Sequence, residues 1–451
     1  MLDSEFKDKD VVIMGLGYVG LTLGAYLAEL GFKVHGVEIR DLVLNALESR
    51  KSFFWEPGLD ELLVRNIESG RFSFSRTIPK VESNRVFIIT VGTPIDEQKK
   101  AIVDSIINVS NQVSHAMIDG DMVILRSTVK LNTTTAIVTP ILKKSGKNFD
   151  LAFCPERTLE GAALRELGSL PQIVGAESQQ SRVRATNFFQ QITSSVVNVS
   201  NIETAEMIKL VDNMQRDIFF AVSNEVAHLC NTQQIKASEV ISAGKLGYKR
   251  TNLANPGPVG GPCLEKDSYL LAESVGDTPA TARIALAARF TNESVTTEAA
   301  EFISDWIKQY SNEKKIKISI LGMAFKGIPE TNDMRGSPAI ALIDSLIRYF
   351  PDSEIYCWDP VIAVNELKSI GYKSTFELHE CIEDSLAIIL VNNHPELSAL
   401  DLKSISASAK KPMLIYDFWG RSDHNLILEG FGQYFSWGNH YISDRSKEIT
   451  K

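Results

Sequence analysis

Val11-Val-Ile-Met-Gly-Leu-Gly-Tyr-Val-Gly20 decides the fold of this chain. Val11 to Met14 is short, apolar and β-branched, the composition of a buried parallel strand. Glycines at 15, 17 and 20 follow at once, and Leu21 to Leu30 then carries a helical pattern closed by Gly31. Strand, glycine turn and helix in that order form a dinucleotide fingerprint, G-x-G-x-x-G. Gly15 permits the tight turn, Gly17 lets backbone approach a pyrophosphate, and Gly20 lets helix and strand pack closely. Tyr18 and Val19 stand within this turn as candidate cofactor contacts, and the N-terminus of the helix that follows faces the phosphates. The next strand, Lys33 to Glu38, ends in an acid placed to accept ribose hydroxyls and repel a 2′-phosphate, which favours NAD. Arg40 is able to serve a 2′-phosphate, so NADP stays open. The plain alternative is a glycine turn that merely packs.

Further strands are expected at Val86–Thr90, Met122–Leu125 and Leu151–Phe153, with polar or helical stretches between. This βαβ series predicts a doubly wound parallel sheet. Val91-Gly-Thr93-Pro and Arg126-Ser-Thr128-Val follow strand ends and offer hydroxyls and amides to the same crevice, so Thr93 and Thr128 are candidate cofactor contacts. Ser200-Asn-Ile-Glu203 has the form of a capping box before a long helix, roughly Thr204 to Cys230. A second long helix is expected over roughly Thr278 to Tyr310, and the charged run Ser311 to Lys315 reads as a linker.

A second α/β unit starts at Ile316 and has strands at Glu354–Trp358, Leu386–Val391 and Met413–Tyr416. Its first turn, Gly322-Met-Ala-Phe-Lys-Gly327, lacks the fingerprint, so it is not expected to hold the redox cofactor. The expected fold class is α/β: two Rossmann-like doubly wound domains joined by a central helical domain with a long spine helix. The boundaries read as 1–200 for NAD binding, 201–310 for the helical domain and 311–451 for the second Rossmann-like domain.

A chain of 451 residues has room for two or three domains. A hydrophobic share of 44% and a charged share of 23% are those of a globular protein. The formal net charge of −9 argues against nucleic acid as the main partner, because phosphate backbones need basic surface. Five cysteines are spread along the chain with no pairing pattern and no metal-ligand spacing, which suits reduced thiols, no metal and a cytoplasmic setting. The sequence opens with no apolar signal-peptide core, and no apolar run reaches the roughly 20 residues a membrane span needs.

Gly257-Pro-Val-Gly-Gly-Pro-Cys-Leu-Glu-Lys-Asp267 places Cys263 on a glycine- and proline-rich loop, just before Lys266 and Asp267. Glycines at 260 and 261 let backbone crowd a ligand, and a cysteine beside a cation can act as a thiolate nucleophile. Cys154, Cys230, Cys357 and Cys381 read as buried small hydrophobes. Lys209 and Asn213 are four residues apart on one helix face and can donate to a developing oxyanion; a solvated helix face is the plain alternative. Glu156, in Cys154-Pro-Glu-Arg-Thr-Leu-Glu-Gly161 after a strand end, is a candidate general base, against a surface salt bridge with Arg157.

GLGYVG (15–20), EPGL (56–59), VGTP (91–94), RSTV (126–129), CPERTLEG (154–161), AEMIKLVDN (205–213), GGPCLEKD (260–267), LGMAFKG (321–327) and DMRGSPA (333–339) occur in that order. Together they resemble the UDP-glucose/GDP-mannose dehydrogenase family, the NAD-dependent nucleotide-sugar 6-dehydrogenases. The resemblance implies four-electron oxidation of a sugar C6 alcohol to a carboxylate with two NAD⁺. By position, Cys263 would attack the C6 aldehyde to give a thiohemiacetal, then a thioester. Lys209 and Asn213 would stabilise C6 oxyanions, Asp267 would align Lys209 and water, and Glu156 would act as base with Thr128 holding the water. The resemblance also places Lys326, Arg335, Arg157 and Gly260 around the nucleotide sugar. It places Arg250 where it reaches a neighbouring subunit, in a homodimer or larger homo-oligomer built through the central helices.

Two departures bear on substrate: Arg335-Gly-Ser-Pro338 stands for the usual Arg-Glu-Ser-Pro, and Pro329-Glu-Thr-Asn-Asp333 for the usual Asp-Thr-Asp-Asp run. Cys-Pro-Glu-Arg157 resembles the N-acetylhexosamine branch, while Cys-Leu-Glu-Lys-Asp267 resembles the UDP-glucose and GDP-mannose branches. The expected substrate is a UDP-N-acetylhexosamine such as UDP-N-acetylmannosamine, for surface polysaccharide precursors, with UDP-glucose as the alternative. Two other classes compete: a two-electron hydroxyacid-type dehydrogenase, giving one NADH per substrate and needing no essential cysteine, and a non-catalytic NAD or nucleotide-sugar binding protein.

Overall fold

The computed structural model describes residues 6–80, 83–276, 281–313, 315–421 and 432–440. It is an α/β structure with two Rossmann-like sheets and long helices in the sequence between them. The first sheet has eight strands: β1 Asp10–Met14, β2 Lys33–Val37, β3 Phe72–Ser75, β4 Val86–Ile89, β5 Asp121–Leu125, β6 Phe149–Phe153, β7 Gln172–Ala176 and β8 Val196–Asn198. They run in the order β3-β2-β1-β4-β5-β6-β7-β8. The second has β9 Lys317–Leu321, β10 Glu354–Trp358, β11 Lys373–Ser374, β12 Ala387–Leu390, β13 Met413–Asp417 and β14 Gly432–Ser436, ordered β11-β10-β9-β12-β13-β14. Counted from its own first strand, each sheet follows the 3-2-1-4-5-6 Rossmann order, with a switch point between strands one and four.

Alternate residues of the central strands feed two different cores, as a sheet covered on both faces requires. Val11 and Ile13 join one cluster, while Val12 and Met14 join the other. In the second sheet Ile318 and Ile320 face the cluster that includes Trp306 and Tyr416, while Ile388 and Leu390 face that of Cys381 and Ile415. This is why the strands read as continuous apolar runs rather than alternating ones.

Three differences from the sequence reading have physical causes. The first helix begins at Tyr18, not Leu21, because Gly17 is its N-cap and the glycine turn leads straight into it. Strand β7 runs antiparallel to β6, so the first sheet is not wholly parallel; only the five-residue helix Ala163–Leu167 lies in the connection, too little for a return crossover. The spine helix is Ile202–Gln233, and its first turn is capped by Asn201 rather than Ser200: the Asn201 Oδ1 accepts the Thr204 N–H at 2.8 Å. The next long helix is Arg283–Tyr310; the expected start at Thr278 lies outside the described residues.

The chain divides into two compact units. The first comprises Met1–Met214 with Lys266–Ala282, the second Gln215–Glu265 with Arg283–Lys451. Both the spine helix and the helix Leu264–Val275 pass from one unit into the other. Among the described residues no helix is long and apolar enough to cross a membrane, and no cluster of His, Cys, Asp and Glu is set to hold a metal ion.

Candidate active site

In the first unit the glycine turn is shaped by close approach. A Cβ on Gly20 would lie 1.9 Å from the Gly15 carbonyl oxygen and 2.6 Å from the Thr90 Oγ1. Gly15 itself has φ +97°, in the left-handed region that favours glycine. At Gly17 no atom comes nearer than 3.9 Å to where a Cβ would stand, and no side chain caps the helix. An approach path for a pyrophosphate onto free helix N–H groups is therefore built into the turn.

Glu38 is buried beside this turn. Its Oε2 accepts the Leu16 N–H at 3.0 Å and the Arg40 guanidinium at 2.8 Å, and its Oε1 accepts the Ile39 and Arg40 N–H groups. Burial opposes the charge, yet the Arg40 side chain and these amides hold the Glu38 carboxyl below its ordinary value. Arg40 is half exposed and lies over the Phe53 ring, so it is spent on Glu38 and an aromatic face. Tyr18 turns away from the turn: its hydroxyl donates to the buried Glu56 and accepts the Gly161 N–H at 2.9 Å. That contact joins the EPGL and CPERTLEG segments and pushes the phenol up, through burial first and then the Glu56 charge. Val19 is half-buried in the first helical turn.

Thr93 and Thr128 meet directly, the Thr93 hydroxyl donating to the Thr128 carbonyl. Next to them Arg126 is buried and points at Glu156: Nη2 and Nε reach Oε2 at 2.7 and 3.1 Å, while Nη1 reaches the Cys154 carbonyl and Gln172. The other oxygen, Oε1, accepts the Arg157 and Thr158 N–H groups at 2.7 and 2.9 Å. Burial raises the Glu156 carboxyl, but the Arg126 charge and these donors bring it below its ordinary value. The expected alternative, a surface pair with Arg157, is replaced by a buried pair with Arg126. Arg157 instead binds Asp212 at 2.8 Å, tying the loop after β6 to the spine helix. The sequence reading missed Arg126 as a charge partner, since the two residues lie 30 apart along the chain.

On the spine helix, the Asn213 side-chain amide donates to Asp267 Oδ2. Asp267 is fully buried, and its Oδ1 accepts from Lys266 Nζ at 2.6 Å. Asn213 and Asp267 are thus brought together across 54 residues, and it is Lys266 rather than Lys209 that binds this carboxylate. Among the described residues the half-buried Lys209 forms no ion pair.

The second unit holds the remaining candidates. Cys263 is exposed, whereas Cys154, Cys230, Cys357 and Cys381 are buried. Its loop is pressed onto the turn before the helix Pro338–Tyr349. The Gly261 N–H donates to the Gly336 carbonyl at 2.9 Å, and a Cβ on Gly260 would stand 2.2 Å from that same oxygen. Gly336, which departs from the usual Arg-Glu-Ser-Pro, has φ +61°, and a Cβ there would meet the Glu265 carboxylate at 2.1 Å. Arg335 is held by Asp333 at 2.6 Å, Lys326 lies over the Phe325 ring, and the exposed Arg250 lies over Tyr248.

A glycine turn open to a dinucleotide and a buried acid at the end of β2 define an NAD-binding Rossmann unit. Family models extend this along the chain. Residues 9–193 match the NAD binding domain of the UDP-glucose/GDP-mannose dehydrogenase family, residues 203–294 its central domain and residues 319–424 its UDP binding domain. A UDP-N-acetyl-D-mannosamine dehydrogenase of Methanococcus aeolicus is 31% identical over 95% of this chain and 96% of its own length. A solved UDP-D-ManNAc dehydrogenase from Pyrococcus horikoshii superposes with TM-score 0.84 at 27% identity, covering 96% of this chain and all of that one. A UDP-N-acetyl-mannosamine dehydrogenase from Staphylococcus aureus gives TM-score 0.81 at 26% identity over 95% of this chain and 98% of its own. The chain belongs to the UDP-glucose/GDP-mannose dehydrogenase family, and it is an NAD-dependent nucleotide-sugar dehydrogenase.

Proposed function

We propose that the protein oxidises the C6 alcohol of a UDP-N-acetylhexosamine, UDP-N-acetylmannosamine first among them, to the carboxylate. The observation that carries the reading is the exposed Cys263 on its glycine loop, followed within four residues by the Asp267 that Asn213 binds. Bound NAD⁺ supplies the hydride acceptor for each of the two oxidations. Lys209 and the Asn213 amide stabilise negative charge on the C6 oxygen. The Cys263 sulfur bonds to the aldehyde carbon as the carbonyl oxygen takes up a proton, giving a thiohemiacetal; loss of the second hydride and of that proton leaves a thioester. Water then displaces the sulfur, with Glu156 accepting its proton and Thr128 holding it in place. The ionised state of Glu156, kept by Arg126, leaves it able to accept a hydrogen bond from water across the neutral range. Holding the aldehyde on sulfur prevents its escape between oxidations.

Lys326, Arg335 and Arg157 are the cations proposed for the nucleotide sugar, by bidentate pairing where they are arginines. The names of the similar proteins support the acetylated amino sugar. We also propose a homodimer through the central helices, with Arg250 reaching the partner's site. Phe290 is 75% exposed and Ile284, Leu229 and Val222 are exposed with it, a load of apolar surface that a lone chain rarely carries. Light scattering at the mass of a single 50.0 kDa chain would remove this part.

The test of the chemistry is a panel of UDP- and GDP-sugars scored by NADH formed per sugar consumed. UDP-N-acetylmannosamine should give two. Cys263→Ser should abolish carboxylate formation while leaving NAD and UDP-sugar affinity within about twofold. Full acid yield from that variant defeats the thioester route, and a yield of one NADH in the unaltered enzyme returns the two-electron class.

A further inference from the structure

Four polar side chains in the second unit, Asp217, Asn224, Arg289 and Asn292, are each 2% exposed or less, and none of them enters the chemistry above. Burying an arginine–aspartate pair and two amides is costly unless their groups find partners, and apolar residues of the same volume usually pack as well. Their hydrogen bonds form one continuous chain. The Asn224 side chain grips the Gly257 peptide in both senses, accepting its N–H at 2.9 Å and donating to its carbonyl at 3.0 Å. Asn224 also donates to Asn292 Oδ1 at 2.9 Å. Asn292 donates to the backbone carbonyl and the carboxylate of Asp217 at 2.9 and 2.7 Å. Asp217 accepts from Arg289 Nη1 at 3.0 Å, and that same nitrogen donates to the Leu264 carbonyl at 2.7 Å.

The two ends of this chain are Gly257 and Leu264, the two ends of the loop that carries Cys263. Leu264 is the residue after the thiol, so holding its carbonyl fixes the chain one residue beyond the sulfur-bearing one. The spine helix supplies Asp217 and Asn224, and the helix Arg283–Tyr310 supplies Arg289 and Asn292. Two rigid helices therefore fix the span of a loop that, being rich in glycine, has little stiffness of its own. A nucleophile displaced by about 1 Å from its attack geometry loses on the order of 100-fold in rate.

We propose that Arg289 is a positioning residue for the Cys263 sulfur: it holds the Leu264 carbonyl, and the buried chain through Asp217 and Asn292 to Asn224 holds the other end of the loop at the matching distance. This rests on the thioester reading above. Its signature is loss of aldehyde retention, since a misplaced sulfur misses the aldehyde before capture while the first hydride transfer proceeds.

The test uses the full-length enzyme with Arg289→Met combined with Asp217→Asn, so that no lone carboxylate stays buried, and Arg289→Lys as the conservative variant. NADH per UDP-sugar is counted with semicarbazide present to trap free aldehyde, and Cys263 alkylation by iodoacetamide is timed. The double variant should keep its NAD affinity, fall from two NADH per sugar toward one, accumulate trapped aldehyde and change its alkylation rate at least fivefold; Arg289→Lys should recover part of each. If the double variant does not fold, Asn224→Ser, which loosens only the Gly257 end, is read the same way. Retention of two NADH per sugar with unchanged alkylation in a folded variant overturns the proposal, as does activity lost only in proportion to folded protein. Fewer than two NADH from the unaltered enzyme faults the thioester reading instead, and the alkylation rates then still judge the loop.

Discussion

The two sheets share one strand order yet treat their first crevice in opposite ways. After β1 the chain turns within three residues into a helix whose N-terminus is left open, with Gly17 offering no side chain to fill it. After β9 the next helix begins only at Pro338, and the Gly322 turn is filled from within. Asp359, just past β10, accepts the Met323 and Ala324 N–H groups at 2.7 and 3.0 Å on one oxygen and those of Val361 and Ile362 on the other. The backbone donors that would meet a pyrophosphate are spent on an internal carboxylate. Glu38, in the equivalent place at the end of β2, takes only the Leu16 N–H from its glycine turn. Strand topology thus makes the crevice, and the site's function depends on which backbone donors remain unspent.

The largest expected effect tests the open turn. Gly20→Ala forces a Cβ to within 1.9 Å of a backbone oxygen, so the turn must move. NAD titration should lose saturable binding altogether, with thermal stability of the first unit falling as well; normal NAD affinity would show that the turn is not the cofactor's seat. Next, Asp359→Ala strips four N–H groups of their acceptor, for a loss on the order of 3–5 kcal/mol in the second unit. Hydrogen exchange should show the second sheet opening while NAD affinity changes less than twofold. A loss of NAD binding equal to that of Gly20→Ala would erase the contrast between the two crevices.

The smallest effect separates the units by pH. His440 is stacked on Phe302 with ring centroids 4.2 Å apart, and its Nε2 lies in hydrogen-bond contact with the Tyr416 hydroxyl at 2.6 Å. Burial first, then the nearby His228, pushes its pKa down to about 3. Between about pH 6.5 and that value the unfolded chain binds a proton the folded one refuses, so stability is whole above pH 6.5 and falls with acid by up to roughly 1.4 kcal/mol per pH unit. Glu38 and Glu156, held below their ordinary values in the first unit, keep their contribution above the usual carboxylate range and lose it only below. From pH 6.5 to about 4.5 the second unit should weaken more than the first, where burial also holds His35 below its ordinary value but by a smaller margin, and His440→Gln, which keeps a hydrogen-bond partner for Tyr416, should flatten the second unit's slope. Equal weakening of both units, seen by hydrogen exchange across that range, would assign the effect elsewhere.

Much of this was written locally. The glycine turn, the acid at the end of β2, the apolar strands and the thiol loop are short-range patterns, and the structure forms each where the pattern stands. Five strands were left unread, β3, β7, β8, β11 and β14; all but β7 are the edge strands of the two sheets, where periodicity is weak and little of each strand is buried on both faces. Even a strand read at β7 would have left its antiparallel direction open, because an apolar run reads alike in either direction.

The sequence alone determined which residues are available: one thiol among five on a glycine- and proline-rich loop, one glycine fingerprint, and the family to which both belong. Only the tertiary structure decided how they are engaged. It gave Glu156 to Arg126 rather than Arg157, Asp267 to Asn213 and Lys266 rather than Lys209, Arg40 to Glu38, and the ends of the thiol loop to a buried Asn–Asn–Asp–Arg chain. The physical reason is that each of these partners is chosen by burial: once water is excluded, a charge or amide binds whichever donor or acceptor the packing brings within about 3 Å, and sequence separation has no say in that.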